Sequence, residues 1–398
     1  MKLLQQTSLV MLAGLISACG SSDNSSSATG HEEHGHKILV SQVNSDSLSL
    51  VHEGVLEAQD GNVAGNGAII LLSGNGEFAA TVSAGMVNFV HGGEHEEGHT
   101  EESAEEENEE AEILSYSLSG NQVINTLGHF SVLNAGITTL VAYEQLEATT
   151  PAVETIDVVG QTFPALVLEE AEEVILVFAN NTATVYEDDV ATNDAQACTA
   201  PTSAAQNAEY AVFSCDEGNF AVALEEGVED HTIEFTDLSI AGSYAWLAQG
   251  EVVVGLNQAD KKQIRVVEHN ASEELEVGTI TTTHNTCALA LESVDGDILL
   301  LNDNGQFQAL NHEGEVLNTI ALDESNSPAC SDLVMASAVK TALVVDNAAQ
   351  KLYAIDVDVE DGGSVYHIHE RHDLVVNDVH SMVIFHDKED VQAHDHSH

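Results

Sequence analysis

Positive charge is what this sequence has least of. Nine Lys and Arg stand against 67 Asp and Glu in 398 residues, a formal charge of −58. Nucleic-acid binding, which needs a basic surface to neutralise phosphates, is excluded on that count. Adsorption to an anionic membrane face is disfavoured for the same reason. No Lys or Arg lies between residues 38 and 260, so an anionic substrate would find few cationic partners there. Proline is scarce too, with 4 residues, which suits many uninterrupted strands. Catalytic signatures are missing: there is no G-x-S-x-G, no H-E-x-x-H and no P-loop. Gly61, Gly65 and Gly67 do not make a dinucleotide fingerprint. What is present is apolar enough to fold, since 43% hydrophobic residues plus 29 Gly exceed what a wholly disordered chain carries.

The N-terminus reads as an export signal. Met1-Lys2-Leu3-Leu4 runs into an apolar stretch ending in Ile16-Ser17-Ala18-Cys19-Gly20, too short to span a bilayer and closed by small residues. Ile16-Ser17-Ala18-Cys19 resembles a bacterial lipobox, which implies a signal peptide over 1–18 and a lipidated Cys19. Gly20 in the next position resembles outer-membrane sorting, facing the periplasm. Residues 19–36 then form a polar, Ser-rich tether. With Cys19 set aside, Cys198, Cys215, Cys287 and Cys330 remain. An even number in an exported chain suggests disulfides, with three connectivities open. Pairing Cys198 with Cys215 and Cys287 with Cys330 closes the shortest loops, and buried free thiols are the bland alternative.

Short aliphatic runs recur along the chain, beginning near Ile38, Ile69, Leu140, Val174, Ala211, Val252, Ile298, Leu343 and Met382. Each is of strand length, and Asp/Asn/Gly clusters between them carry turn chemistry. In the C-terminal half the runs return at roughly forty-residue intervals, the period of a four-stranded propeller blade. Roughly 350 ordered residues at about 44 per blade give about eight. The sequence therefore predicts an all-β chain with a single β-propeller over 37–388, of seven or eight blades with eight the better fit. A His/Glu-rich insertion occupies 91–112 and a His-rich tail 389–398. A β-sandwich or a two-domain all-β protein is the alternative fold.

Histidine carries the functional signal. Fourteen of the 20 fall in three segments: His31, His34 and His36 in HEEHGH; His91, His95 and His99 in HGGEHEEGH; and eight from His367 to the C-terminal His394, His396 and His398. Imidazole with carboxylate suits zinc and similar divalent ions, and protons compete with metal as pH falls. His367 and His369 stand two apart on an apparent strand and project from one face; with His372 or Glu370 they would make a defined site. The bland reading is a solvated acidic surface with ordinary surface histidines. His52, His129, His231, His269, His284 and His312 read as structural. Asp356 to Gly362 resembles a calcium loop, but its glycine falls late and its twelfth position lacks Glu, so it reads as a turn.

Together the export signal, HEEHGH and HGGEHEEGH resemble the periplasmic zinc metallochaperones of AztD type, β-propellers that serve a zinc ABC importer. The pair Cys198 and Cys215, the second in FSCDEG, is similar to that family's short disulfide-closed hairpin. ILLLNDNGQFQAL and LVVDNAAQKLYAIDV are similar to its blade strands. No His lies between Cys198 and Cys215, and GHFSV carries His129 alone where a pair would match the family. The resemblance implies His91, His95, His99 and His129 as candidate zinc ligands and His31, His34 and His36 as capture residues. With the lipobox reading, the leading expectation is a non-enzymatic lipoprotein that buffers zinc or delivers it to the solute-binding protein of an ABC importer, touching the membrane through its lipid alone. The alternative is a propeller used as a protein-interaction platform in the envelope. A hydrolase or lactonase with a channel metal is a third class.

Overall fold

The computed structural model describes residues 37–43, 45, 48–52, 55–58, 67–92, 112–148, 150–169, 174–225, 232–250, 252–270, 274–292, 296–322, 328–360, 363–374, 376 and 378–385, all within the unit Gly35–His398. They form eight four-stranded antiparallel sheets arranged as the blades of a propeller. From the inner strand outward, blade 2 is Ile69–Leu72, Phe78–Ser83, Met86–His91 and Glu112–Ser119, and blade 3 is Gln122–Thr126, His129–Asn134, Ile137–Ala142 and Val153–Ile156. Blade 4 is Gln161–Glu169, Val174–Ala179, Thr182–Glu187 and Val190–Ala197. Blade 5 is Ser203–Gln206, Tyr210–Cys215, Gly218–Glu225 and Thr232–Asp237. Blade 6 is Tyr244–Gln249, Val252–Asn257, Gln263–His269 and Leu275–Thr281. Blade 7 is Thr286–Leu291, Ile298–Asn302, Gln306–Leu310 and Val316–Ala321. Blade 8 is Leu333–Ala338, Thr341–Asp346, Lys351–Glu360 and Gly363–Asp373.

Blade 1 joins the two ends of the domain. Its inner strand is Val379–Ile384, paired with Lys37–Gln42 in the register Ile38 to Ile384, Leu39 to Val383 and Val40 to Met382. Ser49–His52 and Val55–Ala58 complete the sheet. This closure leaves no inner strand of the ring unpaired, which protects a repeated all-β chain from edge-to-edge association.

The apolar runs seen in the sequence are mostly second strands. Tyr210–Cys215, Val252–Asn257 and Thr341–Asp346 are buried at every position. A second strand is hydrogen-bonded on both sides and covered on both faces by neighbouring blades, so it needs apolar residues continuously rather than in alternation. The hairpins follow turn chemistry: Asn180 and Asn181, at φ 53° and 63°, link Val174–Ala179 to Thr182–Glu187 as a two-residue turn that wants left-handed backbone.

Eight hydrophobic clusters fill the eight gaps between adjacent blades. Between blades 4 and 5, for example, Leu176, Phe178 and Val185 meet Phe213 and Val222. Each fully buried aliphatic or aromatic side chain contributes about 1.5–3 kcal/mol by leaving water. Both disulfides staple neighbouring blades at these gaps. Cys198, just after the outer strand of blade 4, bonds Cys215 in blade 5, and Cys287 in blade 7 bonds Cys330 before blade 8, with Cα–Cα distances of 5.1 and 4.8 Å. The shortest-loop pairing is thus the one formed.

The inner strands of all eight blades line a central channel of 1040 Å³. Its walls mix aliphatic side chains with polar ones, including the amides of Asn125 and Gln206, His129 and the carboxylates of Glu154 and Glu169. Thr126 of blade 3 donates to Gln206 Oε1 of blade 5 at 2.8 Å, and Gln206 Nε2 donates to the Val167 carbonyl of blade 4 at 2.6 Å, which ties three inner strands together.

Candidate metal centre

Among the described residues, one group of three side chains already has a ligating atom from each gathered closely enough for a metal site. It lies on the outer hairpin of blade 8, where Lys351–Glu360 pairs with Gly363–Asp373. In their register Glu360 faces Gly363, Asp358 faces Val365 and Asp356 faces His367. Residues two apart on one strand therefore stand beside residues two apart on the other. Tyr366 points into the core between blades 7 and 8, where it is 2% exposed, and Ile368 packs against the same cluster. Alternation then sends His367 outward, and His369 is exposed beside it.

One ligating atom each from Asp356, His367 and His369 lie within 4.8 Å of one another. His369 Nδ1 is 3.4 Å from Asp356 Oδ2, and His367 Nδ1 is 3.4 Å from Asp358 Oδ2. The imidazole centroids are 6.4 Å apart. Zinc bonds of about 2.0–2.2 Å in tetrahedral geometry put ligand atoms roughly 3.3–3.5 Å apart, so modest side-chain rotations close the set. Two imidazoles and a carboxylate are a borderline donor set that fits zinc and its neighbours better than magnesium or calcium. With Asp358 alongside, a fourth position is open to that carboxylate or to water. The side chains of His367 and His369 are each 44% exposed, so an ion here exchanges with solvent.

The surroundings favour a cation. Arg371 lies over the Tyr353 ring, 5.8 Å from its centroid, and Lys351 is engaged by Asp373 at 2.6 Å. That contact, through its hydrogen bond and the Lys351 charge, holds the Asp373 carboxyl below its ordinary value. Beyond His369, Glu370 Oε2 meets His372 Nε2 at 2.5 Å.

The other sequence-predicted residues are dispersed. His91 ends a strand of blade 2, paired opposite Glu112, and its ring stacks on Phe78 at 4.9 Å. His129 opens a strand of blade 3, its Nδ1–H donating to the Leu127 carbonyl at 2.7 Å. Neither belongs to a group of three ligating side chains among the described residues. His269 meets Glu209 at 2.7 Å and His284 meets Asp303 at 3.5 Å, as isolated pairs. Cys19, His31, His34, His36, His95, His99, His394, His396 and His398 lie outside the described residues.

Asp356 and Asp358 are the residues that sequence reasoning misassigned. The expected turn over Asp356–Gly362 is strand as far as Glu360. A hairpin centred on Asp361-Gly362 would have paired Asp356 with His367, so the signal was present in the spacing.

No protein-family model matches this chain, and no curated protein sequence is similar to it. Solved structures show its fold. Apo AztD from Citrobacter koseri superposes with a TM-score of 0.67 at 13% identity, covering 88% of this chain and 98% of that one. A second Citrobacter koseri AztD structure gives a TM-score of 0.65 at 13% identity, covering 88% and 97%. The dihydro-heme d1 dehydrogenase NirN superposes with a TM-score of 0.50 at 11% identity, covering 90% of this chain and 77% of that one. In architecture, this chain is an eight-bladed propeller that resembles AztD over most of its length.

Proposed function

We propose that this protein is a non-enzymatic, lipid-anchored component of the bacterial cell envelope, facing the periplasm, that binds zinc or a similar divalent transition ion. It holds the ion for hand-over to a transport partner, the solute-binding protein of an ABC importer. The observation that carries the reading is the cluster of Asp356, His367 and His369, gathered on the outer strands of blade 8 with nearby cations engaged elsewhere. The fold likeness to AztD and the His-rich segments of the sequence support it. The charge of −58 draws divalent cations and steers a basic partner face toward the protein.

Calorimetric titration of the full-length protein with zinc at pH 7 tests the reading. Binding tighter than about 100 μM, equivalent to about 5.5 kcal/mol, is expected. D356N/H367A/H369A is expected to lose the tightest class of sites while weaker binding by other histidines remains. Binding no tighter than that threshold would leave a propeller that serves as an interaction platform.

A further inference from the structure

The strand Gly363–Asp373 does not alternate evenly. Against its partner, Asp356 faces His367 and Ile355 faces Ile368, but Ala354 faces Glu370, so His369 is an extra residue, a β-bulge. In an unbroken strand His367, His369 and Arg371 would share one face, and Glu370 and His372 the other. The bulge reverses that parity beyond His369. Glu370 is placed opposite Ala354 and His372 opposite Leu352, and both partners pack toward blade 1, on the face that also carries Asp356. Arg371 is turned to the opposite face, over Tyr353. The sheet therefore presents Asp358, Asp356, His367, His369, Glu370 and His372 as one row, with the intervening cation removed from it.

Distances continue the row past the first three ligands. His369 Nδ1 is 3.4 Å from Asp356 Oδ2, while its Nε2 is 3.9 Å from Glu370 Oε1. The other Glu370 oxygen is 2.5 Å from His372 Nε2. A neutral imidazole offers one lone pair and one N–H. An ion on the Asp356 side, bound through Nδ1, leaves Nε2–H to donate to Glu370. An ion on the Glu370 side, bound through Nε2, leaves Nδ1–H to donate to Asp356. Either way the uncoordinated nitrogen meets a carboxylate, the arrangement that orients metal-binding histidines.

We infer that His369 is shared between two metal positions, one completed by Asp356 and His367 and the other by Glu370 and His372. The inference rests on the metal-binding reading above and adds a second coordination set to it. A divalent transition ion of the zinc type occupies one position or the other, because the ring has a single lone pair. A step between them exchanges the coordinated nitrogen: the ring loses the proton from one nitrogen and gains one at the other, carried by water. Each step breaks the metal bond at one ring nitrogen before the bond at the other forms, so the ion passes along the hairpin with one release from His369 per step.

Anomalous diffraction at the zinc edge, from zinc-loaded crystals of the full-length protein, reads the positions directly. Two partly occupied peaks flanking the His369 ring are expected, their occupancies together amounting to one ion. E370Q/H372A should keep only the peak beside Asp356, and D356N/H367A only the peak beside Glu370. A single full peak beside Asp356, unchanged in E370Q/H372A, overturns the shared ligand but leaves metal binding standing. Two full peaks overturn exclusivity. No peak on the hairpin overturns both this inference and the metal-binding reading. In solution, histidine-selective 15N spectra of the zinc-loaded full-length variants give an independent readout. His369 should be coordinated through Nδ1 in E370Q/H372A and through Nε2 in D356N/H367A, and the same nitrogen in both would refute the inference.

Discussion

Tyr366 donates its hydroxyl hydrogen to Asp297 Oδ2 at 2.6 Å, with both residues buried. The bond ties the outer strand of blade 8 to the start of the second strand of blade 7, one residue before His367. From the outer strand of blade 7, Asn318 Nδ2 donates to the Tyr366 carbonyl at 2.6 Å. The candidate metal ligands thus project from a strand anchored at two points to the neighbouring blade.

Tyr366→Phe removes a hydrogen bond to a buried carboxylate and should destabilise the protein by about 1.5–3 kcal/mol. It should also weaken zinc binding on the hairpin severalfold, since the ligands lose their anchor. Urea unfolding and calorimetry on the same variant check the two effects. Lower stability with unaltered zinc binding would show that the anchor does not position the site.

The two disulfides should differ in reactivity. Cys198 and Cys215 are 2% and 8% exposed, whereas Cys330 is exposed and Cys287 half-buried. Mild reductant followed by alkylation and mass spectrometry should therefore label Cys287 and Cys330 first. Replacing Cys198 and Cys215 by Ser should cost roughly 3 kcal/mol in the chain-entropy model, measured by chemical denaturation.

Alkaline pH should loosen the gap between blades 5 and 6. Tyr210 is 2% exposed and donates to the Val267 carbonyl at 2.6 Å. Burial holds its pKa well above the ordinary 10.0, and Glu209 and Glu268 push the same way, against an opposing hydrogen bond from Asn207. The folded state thus prefers the protonated hydroxyl. That stability is fully present below about pH 10 and is lost progressively as pH rises toward the folded-state value. Tyr210→Phe should be less stable at pH 8 but show a flatter decline above pH 10. A parallel decline in both proteins would assign alkaline sensitivity to other groups.

Gly255→Ala should disrupt blade 6. Gly255 pairs directly opposite Trp246, and a Cβ there would lie 2.4 Å from the indole ring. The ring has little room to retreat, because Trp246 Nε1 donates to Ser214 Oγ at 2.8 Å in the buried interface with blade 5. A loss of about 1–3 kcal/mol is expected from overpacking, read as a lower denaturation midpoint.

Lipidation is tested separately from metal binding. If Cys19 carries lipid, the mature protein should partition with membranes and Cys19→Ser should release it to the soluble periplasm. Equal solubility of the two forms would remove the anchor from the proposal.

By itself the sequence determined the strands and their repeat. Continuous runs such as Ile298–Asn302 and Thr341–Asp346 are legible because second strands are buried on both faces, and the turn residues between runs mark the hairpins. Blades 2 and 3 were harder to read because a buried polar residue, Thr81 in Phe78–Ser83 and Ser131 in His129–Asn134, interrupts the middle of the second strand, whereas Asn302, Thr341 and Asp346 stand at strand ends. Ser131 is fully buried, and its hydroxyl donates to the Ala165 carbonyl of the next blade at 2.6 Å, a bond that no local pattern announces. The histidine enrichment, the four-cysteine count and the shortest-loop pairing were equally visible in the chain. Tertiary structure decided which strands line the channel, how the first and last strands close the ring, and which histidines meet a carboxylate. Asp356 reaches His369 only through the cross-strand register. Glu370 and His372 join that face only because a bulge breaks the alternation, with Ile355 and Ile368 packed toward blade 7 and Ala354 toward blade 1. A bulge is set by how two neighbouring cores seat their side chains, and that is a property of the folded ring rather than of the hairpin's own residues.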